Sequence, residues 1–378
     1  MSTFIQLHLL TSYPPANLNR DDLGRPKTAV MGGSQRLRIS SQSLKRAWRT
    51  SDLFQDGLSD HLGIRTKDMG YKIREALVSG RSLDTVLKGQ KADGDKGKLP
   101  AGEAKKIAIA IAGVFGKLKS ATKEHPDSDL EIEQLAHVSQ EEIKAISDLL
   151  ESIRQTGRVP DDNELNLLRK KIKAVDISLF GRMLASSPEF NVEAAAQVAH
   201  AITVHKVAVE DDYFTAVDDL NMGEEDMGAG HIGETEFAAG LFYLYVCINR
   251  DLLLNNIQND EKLVAKTLRA LTEAAATIAP TGKQNSFASR AYASYILAEK
   301  GRKQPRSLSV AFLKPVSGMD MLTEAVTSLE STRNNIDKVY GSLCEGKYQV
   351  NTAKGEGTFK EMLEFVASPL PQNNDKEG

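Results

Sequence analysis

The pattern of apolar residues changes twice along the chain, and these changes limit the folds that it can adopt. Residues 3–10 have the composition of a β-strand, whereas residues 55–185 are rich in Lys, Glu, Ala and Leu at helical spacing. Strand character returns over residues 196–220 and 235–249. We therefore predict a mixed α+β fold in which a long helical segment is inserted into a sheet-containing domain.

Shorter strands, helices and loops can be predicted from the same strand-like and helix-like patterns of apolar residues. Residues 12–35 contain three prolines together with glycines, which predicts an exposed connection. Within the inserted segment, helices are predicted over residues 105–124, 141–156 and 163–177. In the second half of the chain, the predicted elements are helices near 260–279, 319–340 and 358–367, and strands near 290–297, 307–314 and 347–351.

Positive charge is concentrated near the N-terminus. Residues 17–49 carry eight Lys and Arg residues against two acids, and residues 33–49 carry five bases and no acid. The whole chain has 48 basic and 51 acidic residues, so this excess is local. We therefore expect an anionic partner to lie along this run.

The centre of the basic run has the pattern of a strand that leads into a helix. Arg36 and Arg38 alternate with apolar residues, so we expect both arginines on the open face of a half-buried strand. Either Ser40 or Ser41 can then accept a hydrogen bond from the first free N–H groups of a helix. Such a junction brings cations, hydroxyls and backbone N–H groups together, as phosphate binding requires.

The helix that follows has two faces. Leu44 and Trp48 are one turn apart and should face a core, whereas Lys45 and Arg49 share an adjacent face. On composition alone, a solvated basic face explains these cations about as well as an anion site. Clustering with serines, glycines and Gln42, without interleaved acids, favours the anion site.

Several motifs carry a resemblance to a known family. They are FIQLHLLTSYPPANLNRDD, GGSQRLRISSQSLKRA, FGRM, HAIT, DYFTAVDDL and HIGETEFAAGLFY. With these motifs the chain resembles the CasC-type backbone subunits of the type I-E CRISPR surveillance complex, Cascade, in the RAMP superfamily. The similarity is strongest before residue 50 and between residues 181 and 245.

The resemblance implies a specific domain organisation. An RRM-like (ferredoxin-like) palm would comprise residues 1–56 and 183–367, and a helical finger would be inserted over residues 57–182. A thumb over residues 200–236 would lie within the palm region. We expect the polar tail, residues 368–378, to be disordered.

The resemblance also implies an RNA site. Each family member holds a short segment of CRISPR guide RNA and displaces one base with its thumb. The positions implied to contact the guide backbone are Arg20, Lys27, Ser40, Gln42, Lys45 and Arg49. The positions implied to flank the displaced nucleotide are Met183, Tyr213, Phe214 and Thr215. As an alternative, Met183 and Phe214 are ordinary core residues.

The thumb has a charge signature of its own. Residues 207–236 contain ten acids and no Lys or Arg. We expect these acids, including Asp218 and Asp219, to dock on basic residues of an adjacent copy and to propagate a filament. The alternative is a mobile, solvated loop.

By this resemblance the protein is a non-catalytic RNA-binding subunit with no metal and no cofactor. Its implied partners are the guide RNA, target DNA through the guide, further copies of itself, the other Cascade subunits (large, small, 5′-handle-capping and repeat-processing) and a recruited helicase-nuclease. No apolar run approaches the ~18 residues that span a bilayer, so we expect a cytoplasmic protein that does not enter the membrane.

Two other functions remain open at the level of sequence. Asp21 and Asp22 lie beside the expected RNA path and could serve a metal-dependent RNA endonuclease of the same superfamily. A scaffold that binds only protein is also possible, but it leaves the basic run unexplained. Lys283, in the loop PTGKQNS, is a weaker phosphate ligand candidate than Lys45 because such glycine-flanked lysines often only end a helix.

Overall fold

The computed structural model describes residues 2–91, 97–216 and 231–370, which fold into two compact units. The first, called the sheet unit, comprises Met1–Gly57, Ala196–Asp251 and Lys262–Gly378. The second, called the helical unit, comprises Leu58–Ala195 and Leu252–Glu261. Asp218, Asp219 and residues 371–378, for which the sequence predicts a subunit contact and a disordered tail, lie outside the described residues.

Strands and helices alternate along the chain. The strands are β1 Phe4–Ala16, β2 Thr28–Met31, β3 Ser34–Ile39, β4 Ile64–Thr66, β5 Ala136–Val138, β6 Ala196–Val198, β7 Ala201–Thr203, β8 Glu210–Ala216, β9 His231–Asn249, β10 Ala293–Gly301 and β11 Gly346–Asn351. The α-helices are α1 Ser41–Arg49, α2 Asp52–Leu58, α3 Met69–Ser79, α4 Leu83–Leu87, α5 Ala101–Gly113, α6 Gln140–Thr156, α7 Val175–Phe180, α8 Arg250–Asn256, α9 Glu261–Thr277, α10 Gln284–Phe287, α11 Met321–Tyr340 and α12 Phe359–Ala367.

The sheet unit is built around an antiparallel sheet with the strand order β11-β10-β1-β9-β7-β3-β2. β1 lies inside it, and Ile5, Leu7 and Leu9 of this strand are fully buried. The order β10-β1-β9-β7, with α1 following β1 and α9 joining β9 to β10, is that of a ferredoxin-like sheet. The predicted α+β class with an RRM-like sheet is therefore confirmed.

The predicted helix over residues 163–177 is wrong for most of its length. Only α7, Val175–Phe180, is helical there. The carboxylates of α6 take the backbone N–H groups instead: Glu142 accepts from Arg169 at 3.0 Å and Glu141 accepts from Lys173 at 2.7 Å. Because these donors are already satisfied, the segment gains little from closing helical hydrogen bonds.

Further predictions need correction. The predicted helix over residues 105–124 ends early, because α5 stops at Gly113. The predicted loop over residues 12–35 begins later, because β1 runs to Ala16, and it contains β2. The predicted strand at 307–314 is a 3₁₀ turn over Ser309–Phe312. Side chains from elsewhere occupy its backbone groups: the Tyr243 hydroxyl accepts from the N–H of Leu308, and Arg36 donates to the carbonyl of Phe312.

The helical unit has a core of its own. Met69 and Ile73 of α3, Ile107 of α5 and Ile146 of α6 are all buried in it. α6 begins with a capping box, in which the Ser139 hydroxyl and the Glu142 carboxylate each accept a backbone N–H of the other residue. In the described parts of both units, no helix is long and apolar enough to cross a bilayer.

The sheet unit contains a buried ionic cluster between β1, β10 and α11. Its centre is Glu299 of β10, which is fully buried and binds Arg306 and Arg333. The Arg333 Nε lies 2.6 Å from the Glu299 carboxylate, and its guanidinium also pairs with Asp337 at 3.1 Å. On the other side, His8 Nε2 of β1 lies 3.4 Å from Glu299. One carboxylate thus joins two strands to a helix.

Candidate nucleic-acid interface

The predicted strand–helix junction is present, and Ser40 is its cap. The Ser40 hydroxyl accepts from the N–H of Ser43 at 3.3 Å, one of the first free donors of α1. The N–H of Ser40 donates to the Asn19 side chain at 2.8 Å, so the preceding loop is tied to the helix start. Leu44 and Trp48 are buried, as their spacing predicts.

The basic face of α1 lies at the edge of this core. Lys45 and Arg49, one turn apart, are both partly buried, whereas Gln42 and Arg46 are exposed. Burial lowers the pKa of the Lys45 ammonium group. An incompletely hydrated ammonium group loses less solvation when it meets a phosphate, so Lys45 is well suited to such a contact.

Arg36 is not on an open face, which corrects the prediction from its alternation with Arg38. Its side chain is fully buried and donates to the carbonyls of Thr203 at 3.0 Å and Phe312 at 2.9 Å. Both carbonyls are distant in sequence, so the alternation of β3 alone could not predict them. Arg36 is therefore a structural residue.

Arg38 keeps a partly exposed position on β3. Its Nη1 lies 3.0 Å from the Nδ1 of His200, and its backbone N–H donates to the carbonyl of Lys27. Burial lowers the pKa of His200, and the charges of Arg38 and Lys27 lower it further. Neutral His200 can therefore accept a hydrogen bond from the Arg38 side chain, which keeps its positive charge. Arg38 and Lys27 thus place two cations at this edge of the sheet.

The loop before β2 is ordered by Asp21. Its Oδ1 accepts from the N–H groups of Leu23 and Arg25, both at 2.9 Å. The Arg25 side chain pairs with Glu236 at 3.3 Å. Among the described residues, no cluster of three His, Cys, Asp or Glu side chains could hold a metal ion.

Two neighbouring clefts flank this loop. The first has a volume of about 520 Å³ and is lined by Leu18, Asn19, Arg20, Asp21, Asp22, Gly24, Ser43, Thr281 and Gly282. The second has a volume of about 410 Å³ and is lined by Arg20, Leu23, Gly24, Arg25, Glu234, Thr235, Glu236 and Lys283. The structure thus brings Lys283 to the loop that carries Arg20.

The position of Lys283 depends on a close approach of two loops. A Cβ atom on Gly282 would lie only 2.3 Å from the carbonyl oxygen of Leu18, so this position needs glycine. Lys283 follows in a left-handed conformation, with φ of 49°. The glycine before Lys283 was the sequence signal for this contact, but local sequence did not show which loop it approaches.

β8 and the first part of β9 form a hairpin whose tip lies outside the described residues. Tyr213 and Phe214 are adjacent on β8, so their side chains lie on opposite faces, and Thr215 shares the face of Tyr213. Tyr213 is 64% and Phe214 41% exposed. The Phe214 ring covers Gly233, the residue opposite it on β9, where a Cβ would lie 2.3 Å from the ring. The alternative that Phe214 is a core residue is therefore wrong.

Met183 belongs to the helical unit and is 80% exposed, so it is not a core residue either. The residues on both sides of it are anchored. Arg182 is buried against Glu142 at 2.7 Å, and the N–H of Leu184 donates to the Asn191 side chain at 2.6 Å. A fixed backbone with one outward apolar side chain is suited to contact a flat partner such as a base.

Comparison with known proteins assigns the chain to a family. The family model described as "CT1975-like protein" matches residues 5–365. A chain of a "CRISPR RNA-guided surveillance complex, pre-nicking" is similar, with a TM-score of 0.76, 28% identity and coverage of 96% of this chain and 99% of that one.

A second chain, from a "CRISPR RNA-guided surveillance complex", has a TM-score of 0.67 at 22% identity, with the same coverage of 96% and 99%, and supports the fold alone. No curated protein matches the chain significantly. The match of the family model over nearly the whole described chain is decisive: the chain belongs to the CT1975-like protein family.

Proposed function

We propose that this protein is a non-catalytic subunit that binds CRISPR guide RNA in a type I-E Cascade complex, oligomerises along it and presents its bases to target DNA. The observation that carries the proposal is the cationic face of α1, which runs from the Ser40 cap past Lys45 to Arg49 at the end of the helix. The similarity of the whole chain to a subunit of an RNA-guided surveillance complex supports it.

The contacts available on this surface favour phosphate over bases. Lys27, Lys45 and Arg49 supply charge, and Gln42 supplies an exposed amide. The Ser40 hydroxyl accepts from the helix, so its own O–H is left to donate to a phosphate oxygen. Contacts of this kind fix the path of the strand without reading its sequence. Selectivity then belongs to base pairing by the guide.

In this proposal the palm and the thumb have separate tasks. The palm carries the guide backbone along α1 and the Arg20 loop, and Met183 follows directly after the finger insertion, in the helical unit. The thumb hairpin carries Tyr213 and Thr215 on one face and Phe214 on the other. Only one of these two faces can contact the displaced nucleotide directly, so we expect unequal effects of Tyr213→Ala and Phe214→Ala.

Charge reversal in the thumb is expected to weaken assembly. If Asp218 and Asp219 meet cations of an adjacent copy, Asp218→Lys with Asp219→Lys replaces attraction by repulsion. We expect the doubly substituted protein to bind RNA with less cooperativity and to form shorter arrays in analytical ultracentrifugation. Glu124→Lys with Asp162→Lys, at two exposed positions of the helical unit, is the matched control. Unchanged assembly at moderate salt would remove this role of the thumb.

The proposed function is tested with end-labelled single-stranded RNA, in the presence of either magnesium or EDTA. We expect intact RNA under both conditions, coated at a regular spacing, because backbone contacts repeat along the strand. The Asp21 Oδ1 already accepts from two backbone N–H groups, which gives this carboxylate a structural role in ordering its loop. Magnesium-dependent cuts that disappear in Asp21→Ala or Asp22→Ala would instead identify a nuclease.

A further inference from the structure

The helical unit contains a polar cleft that is separate from the surface around α1. It has a volume of about 570 Å³. Its walls are residues 170–172, residues 191–193, and residues 255–256 with 258–259. All three segments belong to the same compact unit, although the last one joins it from a distant part of the chain.

Hydrogen bonds hold the walls of this cleft in place. The Asn256 side-chain amide donates to the carbonyl of Ser178 at 3.2 Å and to the carbonyl of Glu193 at 2.9 Å. Val192 and Arg182 exchange two backbone hydrogen bonds, both of 3.0 Å. The cleft is therefore formed before any ligand binds, which lowers the entropic cost of binding.

One wall contains an unusual turn. Gln258 and Asn259 both have positive φ, at 60° and 59°. The turn is closed by hydrogen bonds from the N–H of Gln258 to the carbonyl of Asn255 and from the N–H of Asn259 to the carbonyl of Leu254. Glycine would adopt this conformation without strain. The chain instead keeps two exposed amide side chains here, and strain of this kind is common at binding sites.

The side chains that line the cleft match the chemistry of a nucleotide. Asn255, Gln258 and Asn259 each offer a donor and an acceptor, and such amides can pair with a base edge in two places at once. Lys170 and Lys171 are exposed on the wall formed by residues 170–172 and can reach phosphate oxygens.

The same lining argues against other classes of ligand. Its apolar members are Ile172, which is 1% exposed, and Val192. Protein-binding sites have an apolar or aromatic centre, and small-molecule pockets are predominantly apolar. A polar cleft with two lysines and one acid, Glu193, is instead typical of nucleic-acid interfaces.

We propose that this cleft binds one nucleotide of a single-stranded nucleic acid. Lys170 and Lys171 contact the flanking phosphates, and Asn255, Gln258 and Asn259 hydrogen-bond the base. RNA and DNA share this chemistry. The contact is additional to guide binding on α1, and it lies in the other unit.

Photo-crosslinking locates the bound strand. The full-length protein carrying Lys45→Ala and Arg49→Ala is mixed with single-stranded oligonucleotides containing 4-thiouridine or, as DNA, 4-thiothymidine. After irradiation, mass spectrometry identifies the attached peptides. We expect adducts within residues 170–172 or 255–259. Adducts with only one of the two oligonucleotides identify the strand as RNA or as DNA.

Two double substitutions then test the phosphate contacts and the base contacts separately. Lys170→Ala with Lys171→Ala is expected to reduce the log–log salt slope of binding by about 1.4, from roughly 0.7 for each phosphate contact. Asn255→Ala with Gln258→Ala is expected to weaken binding about tenfold at an unchanged slope, because neutral amides release no counterions. Lys123→Ala with Lys144→Ala removes the same charge from the same unit, away from the cleft.

The inference is overturned if the adducts map elsewhere, or if both cleft variants bind like the Lys123 and Lys144 variant. The proposed function would survive that result, provided that Lys45 and Arg49 still determine RNA binding in the otherwise unchanged protein. Conversely, adducts at the cleft together with no effect of Lys45 and Arg49 would support the inference and contradict guide binding on α1.

Discussion

Replacing Lys45 and Arg49 together by alanine is expected to weaken RNA binding by at least roughly a hundredfold. Hydrogen bonds to charged groups contribute about 1.5–3 kcal/mol each, and two of them are lost. The log–log salt slope should fall by about 1.4, because each phosphate contact on a single strand contributes roughly 0.7. Filter binding or fluorescence anisotropy over a range of salt concentrations measures both quantities.

A matched control exists on another helix. Lys262 and Lys266 are exposed on α9 at the same i, i+4 spacing, so their double alanine variant removes the same charge. We expect this variant to change affinity only slightly, through net charge. The loss in the Lys45 and Arg49 variant should be equal for every RNA sequence. A loss confined to particular sequences, or an equal loss in the α9 variant, would contradict backbone binding on α1.

Glu299→Gln is expected to destabilise the protein by about 3 kcal/mol. The substitution keeps the shape of the side chain but leaves the guanidinium groups of Arg306 and Arg333, which are 15% and 10% exposed, with an incompletely compensated charge. Because Glu299 lies on β10 and Arg333 on α11, the loss should lower the midpoint of the whole cooperative transition. Urea or thermal unfolding followed by circular dichroism measures it.

The pH dependence of this effect has a definite sign. Burial raises the pKa of Glu299, but its contacts with His8 and Arg306 more than reverse this and hold the pKa well below its ordinary value. The carboxylate therefore contributes stability above the unfolded pKa of about 4.3 and loses it as the pH falls further. The difference between wild type and Glu299→Gln should accordingly shrink in acid.

An exposed pair provides the comparison for Glu299. Glu364 binds Arg269 at 2.7 Å, but its side chain is 60% exposed, so Glu364→Gln should cost about 0–1 kcal/mol. If the two substitutions destabilised the protein equally, burial of the ionic cluster would not be the source of its stability.

Local sequence was sufficient where a structure depends on residues within a few positions of one another. The cap of α1 by Ser40 and the burial of Leu44 and Trp48 follow from a hydroxyl before a helix and from apolar residues one turn apart. The change from strand to helix and back likewise predicted the α+β class, because these periodicities are set by backbone geometry. The resemblance to a family added the RRM-like order of the strands.

Tertiary structure decided what depends on residues far apart in the chain. Arg36 is buried because carbonyls of Thr203 and Phe312 receive its guanidinium, although the alternation in β3 assigned it to the open face. Lys283 lies beside Arg20 because Gly282 lets two loops approach closely.

Partners outside the segment also explain why the predicted helix is absent before α7. Carboxylates of α6 accept from the backbone N–H groups of Arg169 and Lys173. Sequence therefore determined the elements that depend only on near neighbours, such as α1 and its cap, and the position of the basic run. Only the folded chain determined that Arg36 is buried and that Arg25 pairs with Glu236, because burial and pairing are set by partners that no local pattern specifies.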